Sequence, residues 1–231
     1  MDDPFHDQNY AKIILSLSKD FDLAIPLKMP SNPTSAIERL VNARLTPYLF
    51  GFFGWYVIWL LQLQLGFLDY ALGVSVVFLP AGIRTLAVLI FGFRGAVGVF
   101  AGCLLSTTEY MGHIATLDYL HIGLICAISA FSAYLMMFLV CWWRRIGSDL
   151  NELSFGDVLI IVFTQGLLSA TLHQVIFQAR GIESSYVDPG IAQSFRLWAA
   201  MAAGDIVGSM ILMLGAVALV NLFQRIRSYA P

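Results

Sequence analysis

Between Pro47 and Leu222 the chain is a succession of apolar stretches, cut by short polar connections into pieces about as long as a bilayer is thick. Six such pieces can be drawn, at about 47–66, 70–91, 95–110, 120–143, 158–177 and 197–222. Charged residues make up only 12% of the chain, against roughly a quarter in soluble globular proteins. Much of the molecular surface must therefore face something other than water. The pattern predicts an all-α fold, a polytopic membrane helix bundle of about six transmembrane helices. The second would be broken in its middle at Pro80-Ala81-Gly82, because proline removes a backbone donor and glycine loosens the helix.

Domain organisation follows from the same division. Residues 1–45 form a cytoplasmic N-terminal tail, interrupted by Pro26, Pro30 and Pro33. Ile13, Ile14 and Leu17 could line one short amphipathic helix there, and 35–44 could form a second. Residues 46–222 are the six-span domain, and 223–231 a cytoplasmic C-terminal tail. The first ten residues are acidic and polar, so membrane insertion is expected to rest on the later spans.

Charge sets the expected orientation. With the N-terminus inside, the cytoplasmic segments hold Lys12, Lys19, Lys28, Arg39, Arg44, Arg94, Arg144, Arg145, Arg225 and Arg227, while the outer loops hold Arg180 and Arg196. This is the bias the positive-inside rule requires of a multi-pass membrane protein with both ends in the cytoplasm. The net charge of −2 gives no reason to expect a nucleic-acid partner. Cys103, Cys126 and Cys141 lie far apart inside apolar runs, as small packing residues do.

The sequence holds no set of residues recognisable as catalytic, so no enzyme activity and no cofactor is expected. Attention falls instead on polar side chains at membrane depth, where each is costly unless satisfied. Arg84 follows Pro80 and Gly82 closely. A helix starting near Ala81 would turn free backbone N–H groups and a positive dipole end toward an anionic or carbonyl-bearing ligand. Arg84 either contacts that ligand or pairs with a carboxylate, and Asp205 is the natural partner. Counted from the outer ends of their spans, the two differ in depth by about 9 Å at ~1.5 Å per residue, a gap that a long arginine could shorten.

Gln165, Ser169 and His173, spaced i, i+4, i+8, share one face of the fifth span, beside a row of Thr171, Gln174 and Gln178. The candidate ligand-binding set is therefore Arg84, Asp205, His173, Ser169, Gln165, Pro80 and Gly82. No second ligand stands at metal spacing from His173, so no metal is expected. Glu109, His113, Asp118 and His121 cluster between the third and fourth spans as a solvated group. Gly95, Gly98 and Gly102 lie on one face of the third span, where small residues let helices approach closely.

Two stretches carry a family resemblance. Phe78-Leu-Pro80-Ala-Gly82-Ile, followed by Leu86-Ala-Val-Leu-Ile-Phe-Gly92-Phe-Arg94-Gly95-Ala-Val-Gly98-Val-Phe-Ala-Gly102, resembles the membrane-associated sensor 1 domain of bacteria. Trp198 to Gly208, with Gly204-Asp205 and Gly208, is similar to a late segment of the same family. Together they cover about 40 residues. The resemblance implies an integral sensory domain in which Pro80, Gly82, Arg94 and Asp205 are motif positions. It also implies about eight spans and a fused output module, whereas the chain offers six spans and ends nine residues after Leu222. The expected partners are the lipid bilayer, a signalling or transporter protein, and a small-molecule ligand. Three functions stay open: a sensory or solute-binding protein, a transporter or its substrate-binding subunit, and an assembly factor without ligand.

Overall fold

The computed structural model describes residues 44–66, 69–71, 74–111, 119–147, 150, 152–180 and 191–229. The expectations for residues 1–43, and for His113 and Asp118, lie outside the described residues. Five helices and a small ribbon follow one another: α1 (Thr46–Gln64), β1 (Asp69–Ala71), β2 (Val74–Ser75), α2 (Pro80–Met111), α3 (Tyr119–Arg144), α4 (Phe155–Arg180) and α5 (Ile191–Tyr229). Four of the five, α2 to α5, are long and apolar enough to cross a membrane. The chain is a multi-pass membrane helix bundle. The count of about six membrane helices is met only in part, since α1 falls outside that set and α2 spans what the sequence divides into two.

The largest departure from the sequence reading lies between 69 and 79. An apolar run there suggests half of a second helix, but the chain instead forms a two-stranded antiparallel ribbon. Asp69 lies opposite Ser75, and Ala71 opposite Val74. Beta-branched Val74, Val76 and Val77 favour extended backbone, and the residue before a proline avoids the helical region. The helix is not broken at Pro80; it begins there. Proline suits a first helical position because its missing N–H has no intrahelical partner to lose.

The real break in α2 is at Gly92, with φ 57° and ψ −136°. That conformation is open to glycine and closed to residues with a Cβ. Gly95 lies directly against the carbonyl of Ala87. Residues eight apart in an unbroken helix would be about 12 Å apart along its axis. The chain therefore folds back on itself, and α2 is a helical hairpin with arms 80–91 and 93–111. Its length alone would suggest a single crossing.

Both arms pack on α1, in opposite senses. Gly98 and Gly102 meet the backbone carbonyls of Tyr48 and Phe52, and Gly54 faces Ile83. Phe50 and Phe91 have ring centroids 5.3 Å apart. The Trp55 indole donates to Ser106 Oγ at 3.0 Å. The small-residue face of 95–102 thus serves contacts within the chain.

α4 starts with a capping box. Ser154 Oγ accepts from the Asp157 N–H at 3.2 Å, while Asp157 Oδ2 accepts from the Ser154 N–H at 3.1 Å. Arg144, at the end of α3, donates to Asp157 Oδ1 at 3.0 Å and so ties the α3–α4 connection together. At its far end α5 runs on past Leu222 to Tyr229.

Two apolar clusters fill the bundle. One gathers Val88, Leu89, Ala96, Met137, Val158, Ile161, Val162 and Met213 toward the end that holds the Gly92 turn. The other joins Trp55, Ile83, Ala87, Val99, Cys103, Ile122 and Cys126 between α1, α2 and α3.

Candidate functional site

The extended chain before α2 lies on α5, and two glycines make room for it. A Cβ at Gly204 would strike the Ser75 carbonyl, and one at Gly208 the Phe78 carbonyl. The Phe78 N–H donates to the Gly204 carbonyl at 3.0 Å. Gln62, buried at the end of α1, brackets the same stretch. Its Nε2 donates to Ser75 Oγ and to the Val77 carbonyl, both at 3.1 Å. Its Oε1 accepts from the Leu79 N–H at 3.0 Å. One side chain thus satisfies a length of irregular backbone that lipid could not.

This docking fixes the register of α2 against α5. Gly82 packs on Gly208 and Leu212, and Thr85 Oγ1 lies 3.4 Å from Ser209 Oγ. Arg84 then reaches back along its helix to Asp205, one turn before Ser209. Its Nη2 donates to Asp205 Oδ2 at 2.9 Å, with the two side chains 1% and 2% exposed. Its Nη1 donates to the Ser129 carbonyl at 3.0 Å and to Ser169 Oγ at 3.3 Å. The depth gap expected from sequence disappears because the helix starts at Pro80 and residues 74–79 add no helical length to the second span.

His173 completes the group. Its Nδ1 lies 2.7 Å from the Ser169 carbonyl, which fixes a proton on that nitrogen. Ser129 Oγ lies 3.2 Å from the other ring nitrogen, Nε2. A second network sits next to the first. Gln165 Nε2 donates to Thr85 Oγ1 and, at 3.2 Å, to Ser209 Oγ. Arg84 Nε and Gln165 Oε1 are buried with no partner among the described residues.

Above this floor lies a cavity of about 100 Å³. Arg84, Asp205, Ser129, Ser169 and His173 close its base. Its walls are largely aromatic and apolar, with Trp55, Trp59, Phe78, Phe177 and Met201. Gln62 and Ser75 rim it on the ribbon side.

Of the residues singled out in the sequence, Arg84, Asp205, Ser169 and His173 come together at the cavity. Gln165 stands one helical turn away, in the neighbouring network. Pro80 and Gly82 serve the start of α2 and its packing on α5. The Ala81 and Gly82 N–H groups donate to the carbonyls of Phe78 and Leu79 at 3.1 and 2.9 Å, so they are not turned toward a ligand. Gln174 is buried beside His173 but has no partner for either side-chain atom among the described residues. Thr171 and Gln178 are exposed. The Glu109 carboxylate accepts from the Tyr56 hydroxyl at 3.1 Å.

Sequence reasoning overlooks Gln62, Ser129, Thr85 and Ser209. Gln62 alone carried a signal, as one of two amides, with Gln64, in an otherwise apolar run. No protein-family model, no curated protein and no solved structure matches the chain.

Proposed function

We propose that this chain is a six-pass protein of the bacterial inner membrane that binds a small solute in the cavity and reports its occupancy to a partner protein. The observation that carries the reading is a cavity about 100 Å³ in size that ends on Arg84, Asp205, Ser169 and His173. Polar groups at this depth are costly, and a chain retains them where they serve a site. The Arg84–Asp205 pair cancels its own charge, so the floor suits a neutral or zwitterionic solute that can both donate and accept hydrogen bonds. The resemblance of Phe78–Gly102 and Trp198–Gly208 to the bacterial sensor domain points in the same direction.

Six crossings are α1, the two arms of α2, α3, α4 and α5. An even number returns the chain to the side on which it started. Arg44, Arg94, Arg144 and Arg145 then share the cytoplasmic end, and the cavity opens to the outside. The apolar cluster between the cavity floor and the cytoplasmic end makes the site a closed recess, which suits a receptor.

Transport is the second reading, favoured by the way the polar groups continue past the floor to Thr85, Gln165 and Ser209. Thiol accessibility separates the two. Single cysteines are placed at 169, 173 and 213 in a background lacking Cys103, Cys126 and Cys141. A small water-soluble reagent added from outside should label 169 and 173, whereas Leu167→Cys, facing lipid, stays inert. Position 213 should stay unlabelled from the cytoplasmic side under every condition. Labelling there would favour transport. Positions 169 and 173 as inert as 167 would remove the solute site and leave an assembly role.

A further inference from the structure

Two of the three cysteines pack in the second apolar cluster and also meet at one hydroxyl. Cys103, on the second arm of α2, and Cys126, on α3, face each other across the α2–α3 contact. Both reach the same hydroxyl: Cys126 Sγ donates to Thr107 Oγ1 at 3.6 Å, and Thr107 Oγ1 lies 3.7 Å from Cys103 Sγ. One hydroxyl thus bridges the two sulfurs across the α2–α3 contact. Cys103 and Thr107 both line the cavity. Cys141 lies away from both, with Met137 and Val140 in the apolar cluster near the Gly92 end.

We propose that Cys103 and Cys126 are a redox-active dithiol that a hydroperoxide entering the cavity converts to a disulfide. Cys103 is only 2% exposed and lines the cavity, so an oxidant small enough to enter the cavity suits it better than a protein. Hydrogen peroxide is small enough to enter and polar enough to rest on the floor. The Cys103 sulfur attacks one peroxide oxygen. The O–O bond breaks, and the departing hydroxide takes the Cys103 proton and leaves as water. Cys103 is now a sulfenic acid. The Cys126 sulfur then attacks the Cys103 sulfur. The S–S bond forms, the S–O bond breaks, and the second hydroxide leaves as water with the Cys126 proton. In sum, two thiols and one peroxide give one disulfide and two waters. The bond joins α2 to α3 beside the cavity wall, so oxidation stiffens the wall that a solute touches. The proposal holds whichever solute the cavity takes.

The test uses the full chain in lipid nanodiscs, exposed to hydrogen peroxide, alkylated after denaturation and mapped by mass spectrometry. Cys103 and Cys126 should disappear together as free thiols and return as one cross-linked peptide, while Cys141 remains fully alkylated. In Cys126→Ser, Cys103 should stop at the sulfenic acid and be trapped by dimedone. The proposal is overturned if Cys103 and Cys126 are oxidised no faster than Cys141, or if disulfides form only between molecules. The natural chain alone decides this, so a poorly folded variant does not blur the result.

Discussion

Arg84 and Asp205 set the terms of the interior. A guanidinium and a carboxylate are both removed from water, and their mutual attraction offsets that cost only while both are present. Arg84→Ala or Asp205→Ala alone should each destabilise the protein by about 3–5 kcal/mol, because one charge is left buried without its partner. The double variant should lose clearly less than the sum, as measured by thermal unfolding in detergent; additive losses would mean the pair is not coupled. Gln62 makes a second test at this scale. Gln62→Leu keeps the bulk but leaves the Leu79 N–H and the Val77 carbonyl without their partner, at a cost of about 1–3 kcal/mol. Protease cleavage near 74–79 should rise in parallel, whereas Gln64→Leu, on the exposed side of the same helix, should change neither. The sequence pointed to Arg84, Asp205 and the 165–169–173 face because charge and polarity are expensive in lipid wherever they fall. It did not point to Ser129 or Ser209, because a serine in a small-residue stretch packs as readily as it bonds.

Among the elements, glycine decides how close two backbones come. Gly208→Ala would push a methyl group into the Phe78 carbonyl and unseat the chain that leads to Arg84. Overpacking of this kind costs about 1–3 kcal/mol or more, and here it should also weaken the Arg84–Asp205 pair. Gly215, on the same helix, has open space around it. Gly215→Ala should be neutral or add about 0.5–1 kcal/mol through helix propensity. Equal effects at the two positions, read from unfolding midpoints, would contradict the docking of 75–79 on α5. Gly92→Ala should cost about 1–3 kcal/mol or more, since its φ and ψ lie outside even the left-handed well that other residues sometimes enter. The extended stretch and its ribbon were hidden in the sequence because an apolar run reads the same whether it is wound or extended. Gly92 was hidden because Phe-Gly-Phe-Arg reads equally well as a helix end at the membrane surface.

For the molecule as a whole, the six-crossing arrangement predicts that reporters fused before Thr46 and after Tyr229 both give a cytoplasmic signal. A reporter inserted after Gly66 should give an external one, and matching signals at all three points would overturn the arrangement. The general architecture was plain from the spacing of apolar runs, whose length only a bilayer explains. What spacing could not convey is which neighbouring runs share a continuous helix, because that depends on one backbone angle. The turn at Gly92 also bears on how the protein is made. A reversal one residue long leaves no polar loop between the arms of α2, and the first arm, about 12 residues and roughly 18 Å, is short for a bilayer core of about 30 Å. During synthesis that arm has no stable resting place alone. It must wait in the insertion machinery until the second arm emerges, and the two then enter the lipid as a single piece. Assembly of the protein would thus proceed by hairpins, with the growing chain paused at its shortest helix.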